Sequence, residues 1–109
     1  METGTVVTVT DATFADVVLG NERPVVVDFW ADWCKPCVMI SKSLAELAEE
    51  YGERLVIAKI DADVNPEAVR TYGVMSMPTL LVFRKGEVVG SLVGARPKAS
   101  LRKAIDELI

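Results

Sequence analysis

The sequence predicts an α/β domain built on a mixed central sheet with helices on both faces, in the order βαβαβαββα. Two observations carry that prediction. Val25 to Trp30 and Leu55 to Ile60 are continuous apolar runs, the pattern of strands buried on both faces, and a long amphipathic helix lies between them. A strand–helix–strand unit of this kind pairs its strands in parallel. Further on, Thr79 to Phe83 and Val88 to Val93 flank the short link Arg84-Lys85-Gly86-Glu87, which reads as an antiparallel hairpin.

The elements follow in order. Val6 to Val9 is a short strand. Asp11 can cap a helix whose apolar face holds Phe14, Val17 and Val18 and which ends at Gly20. Val25 to Trp30 is interrupted by one charge, Asp28. The long helix carries Ile40, Leu44, Leu47, Ala48 and Tyr51 at helical spacing and stops at Gly52. Asn65 and Pro66 open a short helix as cap and first residue, and Tyr72-Gly73 closes it. After the hairpin, Pro97 starts a last helix with Leu101, Ala104, Ile105 and Leu108 on one face.

The chain has 109 residues, of which half are hydrophobic, enough for one domain and too few for two; residues 1–109 read as a single unit. The net charge of −4 argues against a nucleic-acid partner, which would want a basic face. Met1-Glu2-Thr3-Gly4-Thr5 lacks the basic and apolar stretches of an export signal, and no apolar run reaches the length of a membrane span, so a soluble cytoplasmic protein is expected.

There are two cysteines and no histidine. Cys34 and Cys37 are too close in sequence to staple a fold, because they close almost no loop. A structural zinc site needs about four ligands, and a haem attachment needs histidine where Val38 stands. Redox chemistry remains, beside the plainer reading of two inert buried thiols. The pair sits where the second strand gives way to the long helix. A thiolate on Cys34 would face the free N–H groups and positive end of the helix, which lowers its pKa and makes it nucleophilic. Pro36 suits the first turn. Cys37 is one turn further in, expected to be the more buried sulfur, and resolves the mixed disulfide that Cys34 forms with a partner.

Asp28-Phe29-Trp30-Ala31, Trp33-Cys34-Lys35-Pro36-Cys37, Met77-Pro78-Thr79 and the later Gly86 and Gly94 resemble the thioredoxin family, in order and over essentially the whole chain. The resemblance implies the thioredoxin fold and a protein-disulfide reductase. It implies no bound cofactor, the redox group being the Cys34–Cys37 disulfide. It also implies recycling by an NADPH-dependent thioredoxin reductase, disulfide-containing client proteins, and a monomer. By the same resemblance Asp28 is a buried carboxylate that accepts the proton of Cys37, tuned by Lys59. Pro78 is a cis-proline facing the cysteines, and Trp33, Met75, Met77, Gly94 and Ala95 form an apolar docking surface. Simpler readings stand beside these: Asp28 or Lys59 reaching solvent, Met75 in the core, Gly94 as a strand-end bend.

Two positions depart from the family pattern. Lys35 replaces the usual glycine; its ammonium would favour the thiolate and a more oxidising pair, unless it only points to water. Lys42 stands where proline is common, so the long helix should keep that backbone bond. A thiol oxidase or isomerase on the same fold, and a binding subunit without turnover, are the competing functions. Asp61-Ala62-Asp63 resembles the start of a calcium loop, but Pro66 and Tyr72 occupy the positions that need Gly and Glu.

Overall fold

A computed structural model describes residues 4–109 of the chain; the reading of its start at Met1, Glu2 and Thr3 lies outside the described residues. The order is β1 (Val6–Thr8), a one-turn π-helical segment (Ala15–Leu19), β2 (Val25–Trp30), α1 (Lys35–Tyr51), β3 (Val56–Asp61), α2 (Pro66–Thr71), β4 (Thr79–Arg84), β5 (Glu87–Val93) and α3 (Lys98–Leu108), with a short 3₁₀ turn at Gly52–Arg54. The sheet runs β1-β3-β2-β4-β5. As expected from the buried runs, β2 pairs with β3 in parallel, and β4 is antiparallel to both β2 and β5. The hairpin link is tighter than its sequence suggested. Only Lys85 and Gly86 lie between the strands, both at positive φ (50° and 80°), the two-residue geometry that matches strand twist.

Strand alternation sorts the core into two layers. Val25, Val27 and Phe29 face the π-helical segment and α2, joined by Ala58, Ile60 and Phe83. Phe14, Tyr72 and Phe83 form an aromatic triangle there, with centroids 5.3–5.7 Å apart. Val26, Ile57, Leu80 and Val82 face the other way, against Ile40, Leu44 and Leu47 of α1 and Leu101 and Ile105 of α3. Each fully buried Phe or Leu contributes roughly 1.5–3 kcal/mol by leaving water, so these two layers, rather than surface pairs such as Lys98–Glu46, hold the sheet between its helices.

The capping expectations for Asp11 and Asn65 both need correction. Asp11 does not start a helix of its own; a Thr10–Thr13 turn precedes a single π-helical turn. The Asp11 carboxylate instead accepts the backbone N–H groups of Glu67 and Ala68 at 3.0 and 2.9 Å, so it caps α2 from across the structure. Asn65, expected to be that cap, makes no side-chain capping bond. Its Oδ1 accepts the Asp11 N–H at 2.7 Å and its Nδ2 donates to the Asp61 carbonyl at 2.9 Å. Charge decides the exchange: a carboxylate interacts with the positive end of a helix more strongly than a neutral amide does.

The long helix is continuous from Lys35 to Tyr51, through Lys42, in keeping with the absence of proline there. Its start places the site. Both β2 and β3 deliver their C-terminal ends to the edge of the sheet from which α1 departs.

Candidate active site

Cys34 is the N-cap of α1, with extended backbone (φ −92°, ψ 100°), and Lys35 and Pro36 follow as the first helical residues. A cap normally offers a side-chain oxygen to the orphan N–H groups of the first turn. Here the cap is sulfur: the Cys37 N–H donates to Cys34 Sγ at 3.2 Å. The same donor and the helix dipole would meet the negative charge of a Cys34 thiolate, so the fold favours that charge on Cys34. Cys37 has no such place, because it lies inside the first turn. Cys34 and Cys37 are joined as a disulfide with a Cα–Cα distance of 5.4 Å.

One expectation about the pair is not met. Cys37 is not the more buried of the two: both residues are 4% exposed. Ala31, Trp30 and Met77 pack around the pair, and in the disulfide each sulfur shields the other. The difference between them therefore rests on helix position.

Asp28 lies on the α1 side of the sheet, between Val26 and Trp30 in the alternation, and is 2% exposed. Its register neighbours are Lys59 on β3 and Leu80 on β4. Burial pushes its carboxyl up from 3.8 to about 7, against the opposing pull of the Lys59 ammonium. Oδ1 has no hydrogen-bond partner among the described residues. The reading of Asp28 as a charge reaching solvent is thus excluded. The small side chains Ser41 and Ala45 of α1 leave a cleft of about 440 Å³ above it, lined also by Cys34, Cys37, Lys42 and the half-buried Lys59. Trp30 lines the same cleft with a buried indole N–H that has no partner among the described residues.

The opposite flank is built from three loops. The Met77–Pro78 peptide bond is cis, and Pro78 is buried. The Gly94 N–H donates to the Pro78 carbonyl at 2.9 Å, with Gly94 at φ +89°, a conformation that a β-carbon would strain. Gly94 is therefore more than a bend, since it ties the end of β5 to the loop before β4. Ala95 follows it on the surface. Met77 packs on the cysteine pair. Met75 is 94% exposed, which excludes a core role, and Trp33 is 67% exposed. Trp33 is nonetheless held: its indole N–H donates to Asp63 Oδ2 at 3.1 Å.

A disulfide at a helix N-terminus, with a buried carboxylate in the same cleft and a cis peptide bond after the Met77 that packs on it, sits on a sheet of order β1-β3-β2-β4-β5. The sequence profile of the thioredoxin family matches residues 5–107. The chain belongs to the thioredoxin family. It is 44% identical over 108 residues to a thioredoxin of Mycobacterium tuberculosis, covering 99% of this chain and 93% of that one. It is 46% identical over 101 residues to a thioredoxin of the alga Pyropia yezoensis, covering 93% and 94% of the two chains. A bifunctional thioredoxin reductase/thioredoxin of Mycobacterium leprae is 43% identical over 106 residues, 97% of this chain and 23% of that protein.

As a thioredoxin the chain is a thiol–disulfide oxidoreductase, a protein-disulfide reductase that works through its cysteine pair and needs no bound cofactor. Among the described residues no cluster of His, Cys, Asp or Glu could hold a metal ion, and no helix is long and apolar enough to cross a membrane. Within this thioredoxin frame, the structure adds to the site residues that the sequence reading did not place there. Asp63, treated only as part of a false calcium loop, anchors Trp33 from 30 residues away. Trp30, Ser41 and Lys42 shape the cleft over Asp28. No local signal marks these contacts, because each joins separate elements. Lys35, the family departure, is exposed on the first turn of α1.

Proposed function

We propose that this reductase works as one domain, residues 1–109, with a division of labour set by helix position. The Cys34 thiolate attacks one sulfur of a client disulfide; that bond breaks, and a Cys34–client mixed disulfide forms. Cys37 loses its proton to the Asp28 carboxylate and attacks Cys34 Sγ. The client leaves as a dithiol, having gained the two electrons that the cysteine pair gives up. Pro36 starts the helix that carries the charge-stabilising N–H groups. Lys59 holds Asp28 near neutrality against the desolvation that raises it. Trp33, Met75, Met77, Gly94 and Ala95, with Pro78, form the surface on which an extended client segment docks as an added strand.

The observation that carries this reading is Asp28: a buried carboxyl near pKa 7, its Oδ1 without a partner among the described residues, in the same cleft as both cysteines. A base with a pKa near the working pH is suited to proton transfer. Resolution of a preformed Cys34 mixed disulfide, followed by stopped flow, should slow in the wild type as pH falls through about 7. Asp28→Asn should be slower on the order of 10²-fold above that pH and should lose the inflection. Equal rates for the two proteins at pH 8 would remove Asp28 from this role.

The NADPH-dependent partner is a thioredoxin reductase, a reading supported by the Mycobacterium leprae relative that is a bifunctional thioredoxin reductase/thioredoxin. A dithiol kept reduced in this way belongs in the cytoplasm, working there as a monomer on disulfide-containing proteins.

Lys35 supports a second colouring of the same chemistry, toward oxidation or isomerisation. Its exposed ammonium, one residue from Cys34, stabilises the reduced pair by the few tenths to 1 kcal/mol typical of surface charges. That corresponds to a potential about 5–20 mV more oxidising than in Lys35→Gly. Equilibration of both proteins in glutathione buffers measures this, and equal potentials would leave Lys35 without a redox role.

A further inference from the structure

The sequence contains four methionines, and the three that follow Met1 lie in two segments at the disulfide, the first turns of α1 and the loop before β4, whose Met77 packs on the pair. Met39 is two residues beyond Cys37 on α1 and 71% exposed. Met75 and Met77 belong to the loop before β4, the first 94% exposed and the second packed on the cysteine pair. Neither core layer contains a methionine as a buried member; aliphatic residues with Phe fill one and aliphatic residues with Tyr51 the other. Trp33, Val38, Met39, Val64, Met75 and Val93 expose large apolar surface at this one end of the sheet, and two of those six are thioethers.

We propose that Met75, in the docking surface, and Met39, exposed on α1 at the same end of the sheet, are modification sites at which a peroxide weakens client docking. The inference rests on the docking surface assigned above. One oxygen atom of the peroxide is transferred to the thioether sulfur. The O–O bond breaks, the sulfur is oxidised to a sulfoxide, and the peroxide is reduced to water or an alcohol.

Three features carry the argument. The first is access. A sulfur exposed as Met75 is needs no opening of the fold to meet an oxidant, Met39 is close behind, and Met77 is shielded by the pair it packs on, so the order of oxidation is Met75, Met39, Met77. The second is competition. Thiolates are ordinarily the faster target, but with Cys34 and Cys37 joined no free cysteine remains. In the disulfide form the exposed thioethers are the most accessible reduced sulfur in the described chain. The third is consequence. A sulfoxide is a strong acceptor that must be stripped of water when an apolar client segment covers it, a cost the thioether does not carry. The cap that stabilises Cys34 is untouched, so client docking weakens while the chemistry of the pair stays.

The test treats the disulfide form with hydrogen peroxide, quenches it, and locates added oxygen by peptide mass spectrometry. Each protein is then compared with itself before and after treatment on two substrates: insulin, a protein disulfide, and a small aromatic disulfide that does not span the docking surface. In the wild type, KM for insulin is expected to rise about fivefold, on the order of 1 kcal/mol of binding, while the rate with the small disulfide holds. In Met39→Leu/Met75→Leu the same treatment should leave KM for insulin where it was before treatment. An unchanged wild-type KM after full conversion of Met75 overturns the inference, as does an equal rise in the double variant. Untreated Met75→Lys separates the two levels. If it raises KM and the sulfoxide does not, the switch fails and the docking surface stands. If it leaves KM unchanged, the docking surface fails and takes the switch with it.

Discussion

Cys34→Ser should lower insulin reduction by about three orders of magnitude or more, because a neutral hydroxyl at the helix cap cannot replace a thiolate as nucleophile. Cys37→Ser should fail differently. Its Cys34 still attacks, but nothing resolves the product, so the variant should accumulate a stable mixed disulfide with its client in about one-to-one amount. Mass spectrometry under non-reducing conditions reads both outcomes. The asymmetry follows from the structure's one decisive difference between the two sulfurs: Cys34 caps α1 and accepts the Cys37 N–H, whereas Cys37 sits inside the first turn. Insulin reduction that survives Cys34→Ser would contradict the assignment of the nucleophile. A trapped complex on Cys34→Ser, and none on Cys37→Ser, would reverse the roles. Client binding with neither activity nor trapping in any form would favour the binding-subunit reading.

Asp28→Asn should stabilise the folded protein at pH 8 by about 3–4 kcal/mol and by almost nothing near pH 4. The Asp28 carboxyl is raised from 3.8 to about 7 in the folded, disulfide form. As pH rises from about 4 to about 7, the unfolded chain releases this proton and the folded protein keeps it, so folding is progressively disfavoured. Above the folded pKa the cost levels off at about 4 kcal/mol. An amide carries no such charge. It does leave a buried polar group without a partner, at every pH, which trims the gain. Urea unfolding of both proteins at the two pH values, with the disulfide intact, gives the comparison; thermal midpoints should differ by about 10 °C or more at pH 8. A gain of equal size at both pH values would show that the carboxyl is not held near neutrality by burial. A residue that weakens its own fold at working pH and lines the cleft with both cysteines is placed for chemistry rather than for stability.

The readings that rest on neighbours along the chain agree with the structure. Apolar runs, helical spacing and a Gly-containing link report contacts a few residues apart, so β2, β3, α1 and the hairpin were legible, and so was a cysteine pair at a helix start. Family resemblance extended this to the cis bond before Pro78 and the burial of Asp28, both of which the structure contains. The misreadings share a cause. Asn65 has the right residue type and spacing to cap α2, yet Asp11, 57 residues from Ala68, supplies the bonds. Cys37 was expected to be deeper than Cys34 from its place in the helix, yet packing by Trp30, Ala31 and Met77 buries the two alike.

Thus the residue types and their local spacing already specify the α/β class, the redox-active pair and the choice of Cys34 as the sulfur at the helix end, because helix dipoles and strand alternation act over a few residues. The environment of that pair is set by register and packing. The β2–β3 pairing puts Lys59 beside Asp28, small residues on α1 leave the cleft above it, and Asp63 reaches Trp33 from another loop. Desolvation and long-range hydrogen bonds exist only once separate elements have closed on one another, and it is desolvation that turns an ordinary aspartate in a strand into a group that titrates near neutrality.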